Sequence, residues 1–144
     1  MIQVFIEAEA GSRDKNVYDE HTFEHLETKQ TCREYPYPYG FIPGTITDDD
    51  EAVDCYIITP TPLTAGTLVD CEPVGLLELF EGDELDHKVI AALPGETVEA
   101  GDMLRLELSE FIYEIFTRFP EIHVRVGEIL PKEAAEEHLA AHQE

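Results

Sequence analysis

Five acids stand within seven positions, Asp48, Asp49, Asp50, Glu51 and Asp54, and lead directly into the apolar run Cys55, Tyr56, Ile57, Ile58. Carboxylate oxygens at that density are donors for hard divalent cations such as Mg2+ and Ca2+. The segment before them, Tyr35 to Gly44, carries phenols among turn formers: Pro36, Pro38, Gly40, Pro43 and Gly44 restrict the backbone and exclude an ordinary amphipathic helix for Tyr35 and Tyr39. A second acidic stretch, Glu81-Gly82-Asp83-Glu84-Leu85-Asp86-His87-Lys88, ends with a lysine two places after Asp86. If the fold turns this stretch toward Asp49 and Asp54, the two together make a multi-cation site. If not, each is a solvated acidic turn, which an acidic chain readily carries. His87, between Asp86 and Lys88, is expected to point away from both.

The order and spacing of these blocks resemble the family I soluble inorganic pyrophosphatases. Their D-x-D-x-x-D signature is met by Asp49, Glu51 and Asp54 after the turn YGFIPGT, and the likeness extends from Ile6-Glu7 and GSRDK, ending at Lys15, through PVGLLEL and EGDELDHKVIAALP to Pro94. The resemblance implies hydrolysis of pyrophosphate by metal-activated water. It assigns Asp49, Asp54, Asp86, Glu81 and Glu7 to metal, with Mg2+ as cofactor and Mn2+ as a substitute. It assigns Glu51 to the general base, Tyr39 to catalysis and substrate, and Lys15, Lys29 and Lys88 to substrate. It also implies an α+β fold, a small OB-like five-stranded β-barrel flanked by two helices, and a homo-oligomer, with a hexamer among the candidates.

Several positions depart from the family pattern. Glu51 and Glu81 stand where aspartates are expected, which moves their oxygens outward by about 1.5 Å. Val17 replaces an active-site glutamate, so that carboxylate is either lost or supplied by Asp19. Lys29 occupies the place of a phosphate-gripping arginine and keeps the charge without the planar fork; Arg33 is the alternative. Near the end of the first helix Phe116-Thr117, or Ile115-Phe116, replace a Tyr-Lys pair, leaving Arg118 as a substitute cation. These departures motivate a second reading: a catalytically weak protein of this fold that binds metal and a phosphate ligand or protein partner, or one acting on another phosphoanhydride or phosphoester.

Such a site needs a scaffold of modest size. The 144 residues, 43% hydrophobic, suffice for one core, and residues 1–144 are expected to form a single domain. Alternation over Ile2, Val4 and Ile6 predicts a strand that delivers Glu7 at its end. Tyr56–Thr59, Thr67–Val74 and Gly75–Phe80 read as three further strands and Val124–Val126 as a last short one. Leu104, Leu108, Phe111, Ile112, Ile115 and Phe119 recur at helical spacing, predicting a helix over Met103–Phe119 that ends before Pro120, and Pro131 opens a terminal helix through His142.

The net charge of −23 repels phosphate backbones and anionic lipid, which argues against nucleic acid and membrane partners. An anionic substrate would then need divalent cations as escort. Three cysteines without C-x-x-C spacing point to a reducing, cytoplasmic setting, and no signal peptide is expected at an N-terminus interrupted by Glu7.

Overall fold

The computed structural model describes all 144 residues, Met1–Glu144. In chain order the elements are β1 (Ile2–Ala8), β2 (Asp14–Tyr18), β3 (His25–Gln30), β4 (Tyr39–Ile42), β5 (Val53–Ile57), β6 (Leu68–Glu81), β7 (Glu84–Leu85), β8 (Lys88–Ala92), α1 (Asp102–Phe116), β9 (Val124–Pro131) and α2 (Lys132–Ala141).

Five of the strands close into a ring. β1 pairs antiparallel with β4, β4 antiparallel with β5, β5 parallel with β8, β8 antiparallel with β6, and β6 returns antiparallel to β1. This is the expected small barrel, with closure removing the open sheet edges that would otherwise seek partners. β9 and β7 extend β6 beyond the ring, and β2 and β3 form a separate hairpin.

Strand alternation separates two apolar clusters. Val4, Ile6, Ile42, Val53, Cys55, Ile57, Cys71, Leu76, Val89 and Ala91 come from all five ring strands and pack with Ala135 and Leu139 of α2. Their intervening neighbours, among them Ala8, Tyr39, Tyr56, Leu77 and Ile90, meet Leu104, Leu108, Phe111 and Ile112 of α1. Ring strands covered on both faces read as continuous apolar runs, which is why Cys55–Ile58 shows no polar alternation. Asp102 in the first turn of α1 complements the helix dipole, and the helix ends at Phe116, three residues short of the expected Phe119.

Other boundaries differ from expectation for identifiable reasons. The stretches read as two strands, Thr67–Val74 and Gly75–Phe80, are one 14-residue strand, β6. Pro73 and Gly75 do not end it; they pair with Ala91 and Ile90 of β8 on either side of a register shift in which Val74 is the extra residue. β9 runs for eight residues because Ile129, Leu130 and Pro131 continue its pairing with β6. The β2–β3 hairpin carries no buried residue, so it left no hydrophobic period to read.

At Gly40 the barrel depends on a missing side chain. A Cβ placed there would lie 1.9 Å from the Phe5 carbonyl oxygen, so β1 and β4 approach more closely than any other residue allows. Gly40→Ala is expected to part β1 from β4 and destabilise the protein by about 3 kcal/mol or more, read as a lowered urea midpoint. A midpoint equal to the parent's would show that the strand pair accommodates a methyl group.

Candidate active site

β5 and β8 lie parallel with Cys55 opposite Val89, so the preceding residues, Asp54 and Lys88, are brought side by side across 34 positions of sequence. The Lys88 ammonium lies 2.7 Å from Asp54 Oδ2, 2.9 Å from Asp86 Oδ2 and 3.1 Å from the Tyr39 hydroxyl. Those three bonds use all three of its protons. Lys88 is only 6% exposed. Burial opposes its charge, but Asp54 and Asp86 outweigh burial and hold the ammonium above its ordinary range. Because Tyr39 accepts from Lys88, its own O–H remains free to donate into the space above. Burial first, then the Asp54 charge, raises the Tyr39 phenol well above its ordinary value, so that proton is retained.

Above this cluster opens a cavity of about 240 Å³. Lys15, Tyr39, Glu51, Asp54, Glu81, Asp86 and Lys88 all border it, together with Tyr35 and Tyr56 and an apolar wall from α1 that includes Phe111 and Ile112. The two acidic stretches therefore do face one another. Glu81 is held above the usual carboxylate range by burial and then by Asp86, and it also feels the charge of Asp49. Glu7 sits at a bulge, where β1 changes register against β4 between Ile6 and Ala8. It is 9% exposed, and burial followed by repulsion from Asp54 pushes its carboxyl up to about 8.

Not every candidate reaches the cavity. Lys29 pairs with Glu27 at 3.3 Å and borders a neighbouring cavity of about 250 Å³ with Arg118 and Phe119. Lys15, Tyr35, Ile115 and Phe116 line both spaces, so the two adjoin. Arg33 pairs with Glu114 at 3.1 Å and borders neither space, whereas Lys29 and Arg118 both border the second. Asp19 does not replace the carboxylate missing at Val17, because its Oδ1 accepts from the backbone amides of His21 and Thr22 and is committed to a turn. His87 faces away: its Nδ1 accepts from the Leu79 amide and its ring meets Phe80 edge-on. Tyr35, singled out by sequence among the turn formers but given no role, lines the cavity, whereas Tyr56, read there as part of an apolar run, and Glu20, discussed below, were missed.

The donor chemistry suits a hard divalent cation, since the cavity offers four carboxylates, Glu51, Asp54, Glu81 and Asp86, against two ammonium groups, Lys15 and Lys88. Glu7 and Glu81 are raised by burial first and by neighbouring acids second, and a bound cation would offset both effects. No three of these side chains already converge as a closed ligand set.

A sequence model of the family described as "Inorganic pyrophosphatase" matches residues 4–143. An inorganic pyrophosphatase of Synechocystis sp. is 33% identical, with 90% of this chain covering 80% of that protein. One of Nanoarchaeum equitans is 30% identical, with 99% of this chain covering 96% of the relative. Among solved structures, an inorganic pyrophosphatase from Coxiella burnetii superimposes with a TM-score of 0.82 at 25% identity, over 97% of this chain and 91% of the other. That of Thermus thermophilus gives 0.86 at 24% identity, over 97% and 87%, a likeness of fold.

Two outcomes are expected of the metal-free protein. Glu7 titrates near 4.5 when unfolded and near 8 when folded, so between those values the folded state keeps a proton that the unfolded chain has lost. Stability should therefore fall as pH rises through that window, and Glu7→Gln should flatten the slope of the unfolding free energy. An unaltered slope in the variant would mean that Glu7 is not held protonated. Lys88→Met leaves Asp54 and Asp86 facing each other unpaired. It should cost about 3 kcal/mol in denaturant unfolding, the lower end for a broken buried pair because both acids keep some solvent access.

Proposed function

The chain belongs to the inorganic pyrophosphatase family, its match spanning residues 4–143, and on that premise we propose that it hydrolyses inorganic pyrophosphate to two phosphates with Mg2+ as cofactor and Mn2+ as a substitute. One observation carries the reading: a buried ammonium, two aspartates and a phenol, bonded to one another, form the floor of a cavity walled by further carboxylates. That arrangement supports cation binding beside a retained phenolic proton, the combination that cleavage of a highly charged phosphoanhydride requires.

In this reading Asp54 and Asp86 are the central ligands, with Asp49, Glu81 and Glu7 adding charge around them. A divalent cation held there would lower the pKa of a bound water and neutralise the phosphoryl oxygens. Glu51 takes the proton of the attacking water as general base. Tyr39 donates its free O–H to a phosphate oxygen. Lys88 keeps Asp54, Asp86 and Tyr39 in register and becomes a substrate contact as those partners turn to other bonds. Lys15, shared by the two adjoining cavities, contacts the substrate between them, and Lys29, beside Arg118, receives the departing phosphate. The longer side chains at Glu51 and Glu81 adjust these positions, and misplacement of about 1 Å can cost on the order of a hundredfold in rate.

The same proposal has residues 1–144 working as one domain in a homo-oligomer, a hexamer among the candidates, in the cytoplasm. Three free thiols, Cys32, Cys55 and Cys71, support a reducing setting, and no helix is long and apolar enough to cross a membrane. The second reading keeps the cavity but makes turnover weak, with a phosphate ligand, a protein partner or another phosphoanhydride or phosphoester as its object. The absence of any carboxylate at Val17, with Asp19 committed elsewhere, favours it.

Phosphate release from pyrophosphate, measured with and without Mg2+ and beside a panel of nucleotides and phosphoesters, separates the two. Metal-dependent turnover of pyrophosphate above the panel is the expected result. Asp54→Asn should lower it by roughly a hundredfold or more while the far-ultraviolet spectrum and fold persist, because the amide keeps the volume and removes the charge. Unchanged turnover in the folded variant would remove Asp54 from the centre of the site.

A further inference from the structure

The turn between β2 and β3 is held against the acidic loop by two contacts distant in sequence. Phe23, at φ 64°, stacks on Phe5 with ring centroids 4.6 Å apart and packs beside Phe41, in the cluster that also contains Ala52. A non-glycine residue in the left-handed region is a strained conformation, kept only when the surroundings determine it. Three residues earlier, Glu20 Oε1 accepts a hydrogen bond of 3.0 Å from the Ala52 amide, 32 positions away. Ala52 ends the acidic loop and stands between Glu51, which borders the cavity, and Asp54, which pairs with Lys88. The loop thus gains a fixed point at the residue joining its two functional acids.

We propose that Glu20 is a positioning residue of the acidic cavity, clamping the loop through the Ala52 amide while its charge joins those of Glu7, Glu51 and Asp54 in drawing a divalent cation to the site. Glu20 Oε1 makes the amide bond, and the side chain has no cationic partner. Its carboxyl is raised by burial, against the Ala52 bond, and further by Asp54 and Glu51; Glu7 in turn feels Glu20. Its bond to the Ala52 amide sets it beside the backbone one residue from Glu51 and two from Asp54, in a chain where neither Val17 nor Asp19 borders the cavity. A side chain that orients ligands from behind typically accounts for about 10–100-fold in metal affinity.

The inference rests on the reading of the cavity as a divalent-cation site, so its test begins with the parent chain. Thermal unfolding is followed as Mg2+ is raised, against NaCl at equal ionic strength. Stabilisation by Mg2+ beyond the NaCl control is expected; its absence overturns the cation site and this assignment with it. Glu20→Gln retains an oxygen for Ala52 but not the charge. Its metal-free midpoint should equal or exceed the parent's, since one repelling charge is gone, while the Mg2+ concentration for half-maximal stabilisation should rise about tenfold. Glu20→Asp keeps the charge and shortens the reach, so its metal-free midpoint should fall while its Mg2+ requirement stays nearer the parent's. If Glu20→Gln needs no more Mg2+ than a parent that responds normally, Glu20 is a tether alone and the proposal fails, with the cation site left standing. If Glu20→Gln does not fold, Glu20→Ala takes its place: a Mg2+ requirement raised about tenfold is expected, and a parental one overturns the proposal.

Discussion

The buried ammonium of Lys88 is the constraint around which the site is arranged. Asp54 and Asp86 approach one another only because a positive charge stands between them, 2.7 and 2.9 Å from their oxygens. Without it, two half-buried carboxylates at this separation would repel by several kcal/mol at the effective dielectric of about 20 that suits protein sites. With it, the penalty of burying the lysine is outweighed by Asp54 and Asp86, and each of its protons has an acceptor. The Tyr39 hydroxyl is fixed by the same bond and is left with one outward proton. Charge pairing, acid spacing and phenol orientation are thus one interaction seen from three residues.

The barrel makes that interaction a matter of register. Parallel neighbours cannot be joined by a tight hairpin. Between β5 and β8 the chain therefore travels out and back through the long strand β6, which pairs with β1 near its start and with β8, β9 and β7 further along. The excursion returns Lys88 beside Asp54 with the offset fixed by Cys55 opposite Val89. A slip of one residue would turn Lys88 into the apolar cluster and Val89 toward the acids. Gly40 closes the other side by letting β1 approach β4, which carries Glu7 and Tyr39 to the same end of the ring.

What was legible in the sequence was local chemistry, and what was not was long-range geometry. The spacing of Asp49, Glu51 and Asp54, and of Glu81, Asp86 and Lys88, could be read because each set lies within a few residues. α1 and α2 announced themselves by period and by proline, and β1 by alternation. Pro73 and Gly75 misled, since their local preference ends a strand while tertiary pairing on both sides of β6 carries it through them. The β2–β3 hairpin had no apolar face to betray it. Glu20 could not have been found from spacing at all, because its meeting with Ala52 depends on the turn that Phe23 anchors. Lys29, counted forward from Lys15, lies directly opposite it in the hairpin and yet opens onto the next cavity.

The same hairpin bears on the problem that the charge of −23 sets for any anionic substrate. Lys and Arg number only nine, yet Lys15, Lys29, Lys88 and Arg118 border two adjoining cavities. At a Debye length of about 8 Å under physiological salt, most of the surface acids are screened from the cavity interior, whereas groups inside it are not. The distant field therefore sets how the solution around the protein is populated, enriching cations near it. The local field decides what binds, with Lys15 and Lys88 set among the carboxylates of one cavity and Lys29 and Arg118 bordering the adjoining one. A substrate that enters with its countercharge meets partners for both charges, while a bare polyanion meets the repulsion of Glu51, Asp54, Glu81 and Asp86. In this chain, recruitment of cation and of anion are thus two parts of one electrostatic event, and the acidity of the whole molecule favours the first so that the second becomes feasible.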